Sequence, residues 1–158
     1  MKKLLLVNLI LTLVWVALTG SFVFMNFVFG YALAFFILWL INKDSEDRKY
    51  FRLIPSIISF FIYFIYELIK ANIQVAYDVV TPTFYMTPGI VSVPLDVKTD
   101  LEITILANVI SLTPGTLSLD VSNDRTVLYV HSMYIKDKDD FINSIKNGFE
   151  KKLLNITR

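Results

Sequence analysis

Between Lys3 and Lys43 the chain carries no Asp, Glu, Lys, Arg or His. Two apolar runs fill that stretch, Leu4 to Leu18 and Phe22 to Ile41, separated only by Thr19-Gly20-Ser21. A segment this apolar finds its solvent in lipid, where every backbone N–H and C=O must be satisfied internally, and a helix does that. At 1.5 Å per residue the first run gives a helix of about 22 Å and the second about 30 Å, against a hydrocarbon core of about 30 Å. Three residues are too few for a hydrated loop, so residues 1–41 are expected to form a tight transmembrane helical hairpin. A cleaved secretory signal would share the Lys2-Lys3 start and the apolar core. The second apolar run, with no soluble sequence before it, argues that the first helix is retained.

The remainder is more polar but not by much. Of the 158 residues 55% are hydrophobic and 18% charged, and the mean hydropathy of +0.59 is too high for one ordinary soluble domain. A net charge of +1 and the lack of any long basic run leave no electrostatic footprint for nucleic acid. With no cysteine and one histidine there is neither a disulfide framework nor a thiolate or imidazole cluster, so no metal or cofactor is expected.

Residues 42–52 form a charged loop with Lys43, Asp44, Glu46, Asp47, Arg48, Lys49 and Arg52. Orientation follows Lys and Arg rather than net charge, which puts this loop and the Lys2-Lys3 end on the cytoplasmic side. Residues 53–80 combine an apolar stretch, Ile57 to Tyr66, with a polar stripe of Ser56, Ser59, Tyr63, Glu67, Lys70, Gln74 and Asp78 recurring every three or four positions. Such a helix either lies at the membrane interface or makes a third span, and the stripe favours the interface. Thr81-Pro82-Thr83 ends it.

Residues 88–158 read as a small α+β domain of order βαββα. Val91, Val93, Leu95 and Val97 alternate with polar residues, and Pro94 confines that strand to an edge or bulge. Thr99 and Glu102 have the spacing of a capping box, opening a helix that runs from Asp100 to Leu112. Pro114 and Gly115 stop that helix and reverse the chain into a strand, Thr116 to Ser122, which turns at Asn123-Asp124-Arg125 and returns as Thr126 to Met133. One last helix, with Asp137, Asp139 and Asp140 in its first turn and Lys151-Lys152 in its last, turns Phe141, Ile142, Ile145, Phe149 and Leu153 inward.

The run Leu112-Thr113-Pro114-Gly115-Thr116-Leu117, with Leu106-Ala107-Asn108 before it and Leu128-Tyr129-Val130-His131 after it, resembles the E subunit of the multisubunit monovalent cation/proton antiporters of bacteria, the Mrp or Mnh type. Glu67, Lys70, Ala71, Asn72, then Pro88-Gly89-Ile90-Val91 and Phe149-Glu150, follow the same order. The resemblance implies a multi-pass subunit of the bacterial cell membrane with a cytoplasmic C-terminal domain. Its partners would be other membrane subunits, in a complex that exchanges sodium for protons and supports sodium extrusion and pH homeostasis.

The residues themselves speak for an accessory role. An ion path needs ionisable groups or ordered carbonyls at membrane depth, and the hairpin offers only Asn8, Thr12 and Asn26, which suit packing between helices. Asn26, Gly30 and Ala34 make a small, polar face that either docks on a partner's helix or packs against this chain's own first helix. Trp15 and Trp39 have the character of interfacial belt residues. Glu67 and Lys70, three apart, are the candidate charges at the membrane edge. Thr113 and Thr116 flank a turn that either offers backbone donors to an anion or simply stops a helix with hydroxyl caps. His131 falls on a strand face with Val127, Tyr129 and Met133, where a lone imidazole is a core or interface residue before it is a pH sensor. No phosphate loop, activated nucleophile or fixed carboxylate pair supports an enzyme. A membrane-tethered regulatory or binding module acting alone is the competing reading.

Overall fold

A computed structural model of the chain describes residues 2–41, 48–82 and 86–158, in two compact units, residues 1–55 and 56–158. Lys43, Asp44, Glu46 and Asp47 of the expected charged loop, and Thr83, lie outside the described residues.

In the first unit α1 (Lys2–Thr19) and α2 (Phe24–Ile41) form the hairpin, joined at Gly20, whose φ of 63° lies where an L side chain is strained. A third helix, α3, spans Arg48–Val80 and so begins before the expected loop has ended. Tyr50 and Phe51 explain the early start: both are buried with Leu4 and Leu38, and the Phe35 ring lies 5.6 Å from Tyr50 and 5.2 Å from Phe51. Burying two aromatic side chains outweighs the missing backbone donor of Pro55, which lies inside α3 at the end of the first unit. Most other apolar side chains of the hairpin stay exposed, among them Leu13, Leu18, Phe24 and Ile41. Phe24–Ile41 and Tyr50–Val80 are each long and apolar enough to cross a membrane, whereas Lys3–Thr19 is apolar but shorter.

After the rest of α3, the second unit holds β1 (Gly89–Pro94), α4 (Asp100–Leu112), β2 (Thr116–Val121), β3 (Val127–Ser132), α5 (Lys138–Ile145) and α6 (Lys151–Thr157). The sheet order is β1-β3-β2 with both pairings antiparallel, so Pro94 ends an edge strand where its missing N–H costs no central ladder bond. Val91, Val93, Leu128 and Val130 of the inner sheet face pack with Ile103, Leu106, Val109 and Ile110 of α4 and with Ile145, Phe149 and Leu153 beyond. The Thr99 capping box is complete: the Thr99 hydroxyl accepts from the Glu102 N–H, and Glu102 accepts back from the Thr99 N–H.

The last helix is not continuous. A π-helical turn, Lys146–Glu150, separates α5 from α6. Its cause lies far off in sequence: the wider turn carries Glu150 into the core, 1% exposed, where its carboxylate accepts from the N–H groups of Asp96 at 2.6 Å and Val97 at 3.1 Å. Lys146 closes the pair from 2.7 Å; burial works against its ammonium, but hydrogen bonds to Asp96 and Glu150 outweigh that and raise its pKa. Glu102 is equally enclosed. The Thr157 hydroxyl, then the N–H groups of Lys98 and Thr99, hold its pKa down at about 2. Two buried carboxylates thus tie the loop between β1 and α4 to the C-terminal helices.

The Pro-Gly turn follows a type II pattern, with Pro114 and Gly115 central and the Thr116 N–H returning 3.1 Å to the Thr113 carbonyl. Gly115 has φ 85°, and a Cβ there would meet the Tyr134 ring at 3.1 Å. Gly115→Val is therefore expected to destabilise the second unit by about 1–3 kcal/mol; thermal melting of the purified chain measures it, and an unchanged midpoint would show that the turn tolerates a side chain.

Candidate functional site

The turn finishes α4 with side chains. The Thr113 hydroxyl donates to the Val109 carbonyl at 3.1 Å, and the Thr116 hydroxyl donates to those of Ile110 at 2.6 Å and Thr113 at 2.9 Å. These carbonyls belong to the last helical turn and the turn after it, so both hydroxyls are occupied as donors. Leu112 and Leu117, at the ends of the motif, are exposed.

Part of the polar stripe of α3, Tyr63, Glu67 and Asp78, is shielded from solvent, while Ser59, Lys70 and Gln74 stay exposed. Tyr63 packs edge-on against Phe149 at 5.1 Å, Phe60 and Phe64 pack on the same core, Lys152 donates to Ser59 at 3.0 Å, and the Tyr134 hydroxyl donates to buried Asp78. Tyr134 bonds so closely to that carboxylate that its pKa is pushed up to about 12. On the opposite side Ile58, Phe61, Ile62, Ile69, Ile73 and Val80 are exposed. Gln74, in the lower part of the stripe, is exposed as well.

Glu67 and Lys70 form an ion pair of 3.3 Å at the rim of a cavity of about 130 Å³. Thr113 and Thr116 line the same cavity, with Ile110, Ile145 and Phe149 as its floor. The Pro-Gly motif and the Glu67–Lys70 pair, unconnected in the sequence, thus share one site. His131 lies elsewhere, half-buried on the outer face of the central strand, in register with Ile90 on one side and Leu117 on the other.

Within the hairpin, the face of Asn26, Gly30 and Ala34 is filled by α1. The Trp15 indole donates to Asn26 Oδ1 at 3.0 Å, Asn26 donates to Thr19 and to the Ser21 carbonyl, and Gly30 and Ala34 are buried. Trp15, half-buried, is thus tied into the hairpin, its ring 5.5 Å from that of Phe29. Asn8, fully buried, donates to the Tyr50 hydroxyl at 2.7 Å, which also bonds Tyr31 at 3.1 Å, while the Thr12 hydroxyl returns to the Asn8 carbonyl. Sequence reading missed Tyr31 and Tyr50 because nothing local marks them: their meeting over Asn8 is a tertiary contact. It also missed the function of Tyr134, for which the parallel bridge between Thr87 and Tyr134 is a tertiary cause. Among the described residues no group of three or more His, Asp or Glu is placed to hold a metal ion.

A family model described as "Na+/H+ ion antiporter subunit" matches residues 8–156. The chain is 39% identical over 97% of its length to the E subunit of the Na(+)/H(+) antiporter of Alkalihalophilus pseudofirmus, 97% of which is covered. It is 41% identical over 92% of its length to the E1 subunit of the Na(+)/H(+) antiporter of Staphylococcus saprophyticus, with 91% of that protein covered. Among solved structures it is similar to a chain of the Mrp complex from Dietzia sp., with 32% identity and a TM-score of 0.50, covering 65% of this chain and 96% of that one. A chain of the archaeal membrane-bound sulfane sulfur reductase is similar over 97% of this chain and 98% of its own, with 25% identity and a TM-score of 0.54.

The tight contact of α1 with α2 makes a specific demand. A Cβ at Gly30 would sit 2.8 Å from Trp15 Cδ1, so Gly30→Leu should splay the hairpin at a cost of about 1–3 kcal/mol. Lower levels of the chain in isolated membranes are the expected result, and normal levels would mean that the helices can part without penalty.

Proposed function

The chain belongs to the E-subunit family of Na+/H+ antiporters, and from that membership we propose that it is a non-catalytic accessory subunit of a multisubunit sodium/proton antiporter. Its relatives are subunits of an ion-transporting membrane complex, and other membrane subunits are its partners. One observation carries the accessory reading. The hairpin has no titratable carboxylate, imidazole or amine between Lys3 and Ile41, and Asn8, Thr12, Trp15 and Asn26 hydrogen-bond within the chain. Asn8 Oδ1 has no partner among the described residues and is fully enclosed. Protons and cations would then move through a neighbouring subunit.

The two faces of α3 support an interfacial helix over a third span. Its contacts with the α+β domain run from Ser59 to Asp78, about 28 Å of helix. A helix that crossed the bilayer there would draw the packed α+β domain, with its Lys146, Glu150 and Glu102, into hydrocarbon. Lying flat, α3 puts Ile58, Ile62, Ile69 and Ile73 into the acyl boundary and holds the domain in water. The proposed location is the bacterial plasma membrane with residues 88–158 in the cytoplasm. The alternative, a tethered module acting alone, has less support, because similarity to complex subunits runs along nearly the whole chain.

Cation/proton exchange in membrane vesicles, normalised to the amount of assembled complex, tests this. Asn8→Leu, Thr12→Val and Asn26→Leu are expected to reduce assembly while exchange per assembled complex holds. Loss of exchange at full assembly in any of them would place that residue on the ion path and end the accessory reading.

A further inference from the structure

The cavity beneath Glu67 is lined mainly by acceptors, with the Tyr63 hydroxyl and Lys70 as its donors, both directed to Glu67. The hydroxyls of Thr113, Thr116 and Ser144 all donate to backbone carbonyls, Ser144 to Phe141 at 2.7 Å, so toward the cavity they present lone pairs alone. Glu67 adds a carboxylate, an acceptor only. The floor of Ile110 and Phe149 is apolar. An anion would find its acceptors facing acceptors. What the lining complements is a donor-rich cation on an apolar stem, and about 130 Å³, roughly the liquid volume of four waters, suits one such side chain.

Lys70 does not already fill that place. Its side chain is 60% exposed and 3.3 Å from Glu67, whereas Glu67 is 20% exposed. The pair is a surface contact of little strength, held over a carboxylate that is mostly withdrawn from water. Tyr63, which lines the same cavity, donates its hydroxyl to Glu67, and the two carboxylate oxygens still leave lone pairs for a further donor.

We propose that this cavity receives a lysine or arginine side chain of a neighbouring subunit, its stem on Ile110 and Phe149 and its charged head on Glu67. The proposal rests on the accessory reading above. Lys70 then competes with the incoming cation, and this sets the two halves of the pair against each other. Glu67→Gln removes the acceptor charge and weakens docking, while Lys70→Met removes the competitor and strengthens it.

The test is the salt concentration at which this chain is released from the purified, detergent-solubilised complex. We expect Glu67→Gln to lower the midpoint, Lys70→Met to raise it, and Ser144→Trp, which fills the cavity and leaves the ion pair in place, to lower it. Equal weakening by Glu67→Gln and Lys70→Met, as for a merely structural pair, would overturn the proposal, and so would a Ser144→Trp complex with unchanged release. The same variants in vesicles of phosphatidylcholine, with and without phosphatidylethanolamine, separate the sources of the amine: differences that persist without phosphatidylethanolamine support a protein side chain, and differences that need it assign the cavity to a lipid headgroup and overturn the proposal. Failure of the accessory reading has another signature, a fall in exchange per assembled complex by Glu67→Gln at unchanged release.

Discussion

Polar groups removed from water must be matched by partners, and nowhere is that demand greater than along α3. One side of this helix bears Ser59, Tyr63, Glu67 and Asp78, the other an exposed row of isoleucines. Neither lipid nor water suits both. The α+β domain answers this along part of the polar side: Phe149 takes the Tyr63 ring, Tyr134 satisfies Asp78, and Lys152 reaches Ser59. Gly148 belongs to the same arrangement, because any Cβ there would collide with the Tyr63 hydroxyl.

The internal organisation of the α+β domain serves this cover. Phe149 sits in the π-helical turn, so the widening that delivers Glu150 to the Asp96 and Val97 amides also sets the ring that receives Tyr63. A buried carboxylate left without these donors would be costly. With them, the loop after β1, the end of the chain and the face of α3 become interdependent. For the accessory subunit proposed above, a surface so fixed is of more use than a mobile one.

Much of this was legible locally. The capping box at Thr99 and Glu102, the Pro-Gly stop, the edge position of a strand holding Pro94 and the apolar hairpin all follow from short-range rules, and each appears where those rules put it. What escaped depends on distant residues. The π turn exists because Glu150 meets amides 53 and 54 positions away, and α3 starts at Arg48 because Tyr50 and Phe51 find Leu4, Phe35 and Leu38. The stripe on α3 was visible as a periodicity, but periodicity cannot say whether a polar face meets water or a protein domain. For the candidate site, Glu67, Lys70, Thr113 and Thr116 could each be named from the sequence. Their meeting around one cavity required the fold.

A spin label on α3 tests the account at its centre. With the full chain in lipid vesicles and the label at Ile69, collision with dissolved oxygen and with a water-soluble nickel complex reports immersion depth. The account predicts a label in the acyl chains just below the headgroups, favouring oxygen. A label at the bilayer midplane would make α3 a span, and one fully open to nickel would leave its isoleucine face outside the membrane; either result contradicts an interfacial helix with the α+β domain on its polar side.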